Sequence, residues 1–264
     1  MKTLSIILFS TLWFVSVAAI AQSQTPEEQF SNANALYNEK KYEEAVGQYN
    51  ELLRSGYIKD EVYYNLGNAL YRNNNAAAAI WCYEKCLLLN ASHDDAAANL
   101  AFVNKTALGN QEVVPQNFFI MAWNWLSAQM SWQWWTYFFI IVLAVFLIVL
   151  ILFLISASNK NRRIFFLTSV ILFVVMILAL AQSISGNYNI RHSKNAIVVN
   201  EAAQLRSSPD QDGTGVAMIQ PGIKVHILEM KTPWLRVITP DGTQGWVPEE
   251  SVVRLNAVSP LLME

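Results

Sequence analysis

Cysteine, histidine and charge are all scarce in this sequence. There are two cysteines and three histidines, and charged residues make up 14% of 264. Cys82 and Cys86 lie four apart, on one face of a helix, which is neither zinc-finger nor CxxC spacing. That excludes a disulfide framework, and without a CxxCH or an iron–sulfur cysteine set it excludes those cofactors too; buried free thiols are expected. His226 has no second histidine near it in sequence, so no metal and no cofactor is expected. A net charge of −2 with scattered Lys and Arg offers no basic face on which to release counterions, so nucleic acid is not an expected partner. GxSxG, P-loop and HExxH motifs are missing, as is a nucleophile beside a base. No catalytic residue is assigned, and no enzymatic activity is expected.

Apolar residues, by contrast, make up 53% of the chain, and much of that sits in long runs. Residues 1–21 combine a basic start at Lys2, an apolar run from Leu4 to Val17 and the small-x-small triplet Ala19-Ile20-Ala21. They read as a secretory signal peptide, with an uncleaved anchor helix as the rival. Residues 137–156 and 164–184 are two further runs without an ionisable side chain, and nineteen residues of the first cover about 28 Å as a helix, near the hydrocarbon thickness. Between them, residues 157–163 form an expected turn carrying Lys160, Arg162 and Arg163 and no acid, which the positive-inside rule assigns to the cytoplasm. A two-pass protein of the inner (cytoplasmic) membrane follows, with both flanking domains outside. Residues 117–136 hold five tryptophans and no charge, as expected of an interfacial helix leading into the first span. The spans contain no ion or proton site, so they are expected to anchor rather than to transport.

Ahead of the spans, an offset of 34 aligns Ala33 with Gly67, Leu36 with Leu70, Tyr37 with Tyr71, Ala45 with Ala79 and Tyr49 with Tyr83. Residues 25–106 therefore resemble a TPR domain of two repeats, with a third stretch, 95–103, as a capping helix. The resemblance implies a peptide-binding concave face built from the first helix of each repeat, here Asn34, Tyr37, Asn38, Tyr64, Asn68, Tyr71 and Arg72. The family's carboxylate-clamp lysines are missing. Asparagine amides pair with peptide backbone and tyrosines add flat contact area, so an extended peptide suits the set.

Beyond an expected linker, 185–195, the pattern changes to short alternating runs separated by Gly, Pro and Asp over residues 196–255. Leu205-Arg206-Ser207, Pro221-Gly222, Trp234 and the closing Asp241-Gly242-Thr243-Gln244-Gly245-Trp246-Val247 resemble a bacterial SH3-like domain. Trp234 and Trp246 are expected in its core, with a ligand face as the alternative. His226 is expected on the outward, solvated face of its strand.

The fold class expected is thus a multidomain membrane protein: an all-α TPR helical repeat, two transmembrane helices and a C-terminal all-β SH3-like barrel. That order of parts resembles the BatE family of the aerotolerance operon. The resemblance implies an adaptor among membrane partners, von Willebrand A-type proteins included, in a complex connected with stress or oxygen tolerance. The alternative is a cell-wall sensor or tether in which the barrel holds peptidoglycan.

Overall fold

A computed structural model describes residues 24–108, 117–199 and 202–261. The expected signal peptide lies outside the described residues.

Two helical hairpins open the described chain: α1 (Pro26–Asn38) with α2 (Tyr42–Arg54), and α3 (Asp60–Arg72) with α4 (Ala76–Leu89). A further helix, α5 (Asp94–Val103), packs on α4 and runs into a π-helical turn at Asn104–Leu108. α1 starts where a reciprocal capping box forms between Thr25 and Glu28 with Pro26 in the first turn, each satisfying backbone donors that have no partner inside the helix. Both hairpins turn through a left-handed residue, Lys40 (φ 63°) and Asn74 (φ 61°), again 34 apart. Gly67 is needed where the second hairpin closes, because a Cβ there would lie 2.8 Å from the Tyr83 ring.

The 34-residue offset extends to hydrogen bonds. The Tyr49 hydroxyl and the Asn65 amide both donate to Asn34 Oδ1, at 2.6 and 2.9 Å. One period on, Tyr83 and Asn99 both donate to Asn68 Oδ1, at 2.8 and 2.9 Å. Each asparagine therefore ties its own hairpin to the next helix.

The membrane-compatible part is α6 (Phe118–Ser127), α7 (Trp132–Ile155) and α8 (Asn159–His192). The most apolar windows of α7 and α8 reach mean hydropathies of 3.7 and 3.0, yet only 6% and 11% of those windows are buried inside the protein. A core helix of a soluble protein would be covered; these faces are apolar and open, as lipid contact requires. Aromatic pairs Phe146–Phe173 and Phe153–Phe166 hold the helices together, and the Arg162 guanidinium lies 5.2 Å from the Phe153 ring.

Several sequence expectations shift. The interfacial segment is not one helix: α6 ends at Ser127, and Trp132, Trp134 and Trp135 belong to the first turns of α7. The turn shrinks to residues 156–158, so Lys160, Arg162 and Arg163 sit on the first turns of α8. The expected linker at 185–195 is helical through His192. An isolated glycine does not break a helix, and Gly186 packs so tightly on Trp132 that a Cβ would lie 2.6 Å from that residue's own Cβ.

The C-terminal unit is one antiparallel sheet of seven strands, β1 (Asn195–Val198), β2 (Ala203–Arg206), β3 (Gly215–Ile219), β4 (Lys224–Lys231), β5 (Trp234–Ile238), β6 (Gln244–Pro248) and β7 (Val252–Arg254), in the order 3-2-6-5-4-1-7. Ala196, Val198, Leu205, Val225, Leu235, Val237 and Val247 fill its interior. Gly245 lets β6 approach β2, since a Cβ would fall 2.5 Å from Leu205 Cγ. Gly242 (φ 89°) turns the β5–β6 hairpin, where Thr239 and Thr243 bond the Asp241 carboxylate and hold its pKa below the usual range.

Strand β1 is buried on both faces. Ala196 and Val198 point into the sheet's own core, whereas Ile197 and Val199, with Val253 and Leu255, join the core of the helical hairpins. The helical hairpins and the sheet are thus fused through β1 and β7, each of which gives residues to both cores.

Candidate functional site

Five of the seven residues expected on the concave face, Tyr37, Tyr64, Asn68, Tyr71 and Arg72, line one groove of ≈ 400 Å³. Its walls come from α1, α3, α4 and α5. The Arg72 guanidinium donates to the Tyr37 hydroxyl, chiefly for which its pKa stands above its ordinary value, and this contact bridges α1 and α3. Tyr64 meets His93 at a tilt of 36° with ring centroids 4.8 Å apart, and Tyr71 meets Phe102 edge-on at 6.0 Å. Two expected members lie elsewhere: Asn38 is exposed at the last turn of α1, and Asn34 is half-buried behind the groove with its oxygen occupied by Tyr49 and Asn65. Asn68 lines the groove, but its oxygen is likewise taken, so its amide donor is the part that can address a ligand.

Tyr83, Asn99 and Phe102 also line the groove and were not among the expected residues. A signal for them exists: one more 34-residue step from Asn65 reaches Asn99, and from Asn68 it reaches Phe102.

Across the helices from this groove, the back face grips the end of the chain by its backbone. Trp81 Nε1 donates to the Arg254 carbonyl (3.3 Å), Lys85 Nζ to those of Leu255 (2.6 Å) and Ala257 (3.0 Å), and the Tyr63 hydroxyl to that of Val258 (2.7 Å). Ser259 donates to Asn50 Oδ1 at 2.6 Å, and Lys224 pairs with Glu84 at 2.6 Å. Lys85 is 5% exposed and has no carboxylate partner among the described residues; burial pushes its pKa down to about 8. Beside it, Cys82 and Cys86 are buried, and burial raises both thiols well above their ordinary values, which leaves them protonated and unreactive at neutral pH.

On the sheet, the expectation that Trp234 and Trp246 are core is overturned. Both are half-exposed, and the alternation places Leu235, Val237 and Val247 inside instead. Trp246 stands between Arg206 and Arg236 on the neighbouring strands. Trp234, with Arg206 at 5.9 Å from its ring, lines a groove of ≈ 690 Å³ together with Gln211, Pro233, Pro248, Glu249 and Glu250. His226 is exposed, and its Nδ1 lies 2.9 Å from Asn195 Oδ1; partial burial, then the nearby Lys194, lower its pKa.

No curated protein matches the chain. Residues 201–253 match the sequence model of the bacterial SH3 domain, a match that begins after β1, a strand shared with the helices, and the C-terminal sheet is therefore a bacterial SH3 domain.

Proposed function

We propose that this chain is a non-catalytic, two-pass membrane adaptor whose TPR-type helical module presents an extracytoplasmic groove to an extended segment of a membrane partner. The observation that carries the reading is the fused core of helices and barrel. Residues 50–85 bond residues 254–259, and α7 and α8 lie between them in sequence, so the two soluble units share one side of any bilayer that these helices cross. An even number of crossings follows, and the cationic start of α8 argues that the shared side is the outer one. The order of parts supports a role like that of the BatE family, with von Willebrand A-type partners in an inner-membrane complex.

The groove supplies tyrosine faces, amide donors and one guanidinium without a carboxylate, which suits a peptide backbone with an acidic or aromatic side chain. The test is crosslinking from Tyr71 in membranes, followed by affinity capture. Specific membrane proteins recovered with the wild type and lost with the Tyr64→Ala/Tyr71→Ala pair support the adaptor. Equal recovery from both rejects it. Point variants are needed because deleting either unit strips the other of its core.

A second reading rests on the Trp234 groove, whose lining residues all belong to the SH3 domain: the domain holds peptidoglycan, and the protein acts as a wall tether. Binding to purified wall that Trp234→Ala abolishes favours the tether.

A further inference from the structure

The molecule contains a further pocket, part polar and part apolar, at the level where the helices would leave the bilayer. It encloses ≈ 130 Å³ and is bounded by the end of α4 (Leu87, Leu88, Leu89), the α6–α7 turn and the outer part of α8. Gln182 is 2% exposed and Trp135 8%. Ser127 Oγ lies 2.7 Å from Gln182 Oε1 and 2.9 Å from the Trp123 carbonyl, so its single proton is shared between two acceptors. Gln182 Nε2 and Trp135 Nε1, both lining the pocket, have no hydrogen-bond partner among the described residues. Two buried donors therefore converge on one small space, and buried donors are stable only with an acceptor.

The chemistry of that acceptor is narrow. Among the described residues no charged one lines the pocket to recognise a phosphate; the lining is Leu, Ala, Met, Trp, Gly, Ser, Gln and Asn. An uncharged oxygen acceptor attached to an apolar body fits both halves of it. Depth selects the source. Trp135 stands two residues ahead of the apolar run that begins at Tyr137, and Gln182 one residue beyond the run that ends at Ala181, about 3 Å and 1.5 Å along the helix axes. That is the edge of the hydrocarbon, where the ester carbonyls of phospholipids lie.

We propose that this pocket is a lipid site that takes the ester carbonyl of an outer-leaflet phospholipid on Trp135 Nε1 and Gln182 Nε2, and so ties α4 to the bilayer. The proposal rests on α7 and α8 being membrane spans. Resistance of the protein to alkaline extraction from membranes tests that separately, so the two can fail independently.

The direct test uses the full chain in mild detergent micelles doped with dioleoyl phosphatidylethanolamine or its diether analogue, which keeps shape and headgroup but lacks the carbonyl. Native mass spectrometry counts the bound lipid. The diester is expected to bind one to one, and the diether roughly 25-fold to 100-fold more weakly, about the effect of losing both hydrogen bonds that the carbonyl accepts. Trp135→Phe, which preserves the ring packing, and Gln182→Met are each expected to weaken diester binding roughly fivefold to tenfold, with circular dichroism unchanged in Trp135→Phe. Equal retention of diester and diether, no bound lipid at all, or full diester binding by Trp135→Phe overturns the proposal; in the second case solvent alone satisfies the donors.

Discussion

The two helical hairpins share a 34-residue register and much of their chemistry, and they differ most where the second one faces the C-terminal domain. Tyr49 and Tyr83, Asn34 and Asn68, Lys40 and Asn74 occupy equivalent places and make equivalent bonds or turns. Opposite Gln29, Gly47 and Glu51 of the first hairpin stand Tyr63, Trp81 and Lys85 of the second. These three hold the tail. Where the hairpins agree, residues build the hairpin itself; where they disagree, one of them has acquired a neighbour. α4 is accordingly covered almost all round, whereas α2 keeps a solvated face.

The sharpest way to break this asymmetry is Trp81→Ala. Trp81 is fully buried in the shared core, and its loss is expected to cost about 3–5 kcal/mol in pulse proteolysis of the full chain in micelles. A cost below 1 kcal/mol would mean that the tail does not dock. The next effect is a pH dependence that only the second hairpin can show. Lys85 has a pKa of about 8 in the folded chain and an ordinary value of 10.5, so the folded state binds fewer protons between them. Stability from this group is complete above 10.5 and falls away as the pH drops through about 8. Relative to Lys85→Met, the wild type should gain about 2 kcal/mol between pH 7 and 9.5, and parallel profiles would place the ammonium in water.

Gly67→Ala should destabilise by about 1–3 kcal/mol, since the new methyl meets a ring already fixed by the Asn68 hydrogen bond. The hairpins should converge for Tyr49→Phe and Tyr83→Phe, each losing about 1 kcal/mol, and a several-fold difference between them would deny the shared register. Smallest and opposite in sign is Gly47→Ala, at the place equivalent to Trp81. It sits within a helix with open space around it, so a gain of about 0.5–1 kcal/mol is expected.

How much of this could be read from residues alone follows from the range of each contact. The hairpins were legible because Ala33, Gly67, Tyr49 and Tyr83 repeat a local packing problem at a fixed step. The strands were legible from their alternation, and that same alternation, with Leu235 and Val237 inward, argued against burying Trp234; aromatic size was the misleading cue. Of the groove, Tyr37, Tyr64, Asn68, Tyr71 and Arg72 were legible, but not that Asn34 spends its oxygen on Tyr49 and Asn65. The docked tail left no trace, because its acceptors are backbone carbonyls of residues 254, 255, 257 and 258, and any residue type supplies those.

The grip of Lys85 on the carbonyls of residues 255 and 257 also gives the order of synthesis a meaning. The helices are made first, yet their buried ammonium finds its oxygens only when residues 255 and 257 have followed. A chain cut ahead of residue 254 leaves Trp81 and the core around it uncovered, a defect that proteases can recognise.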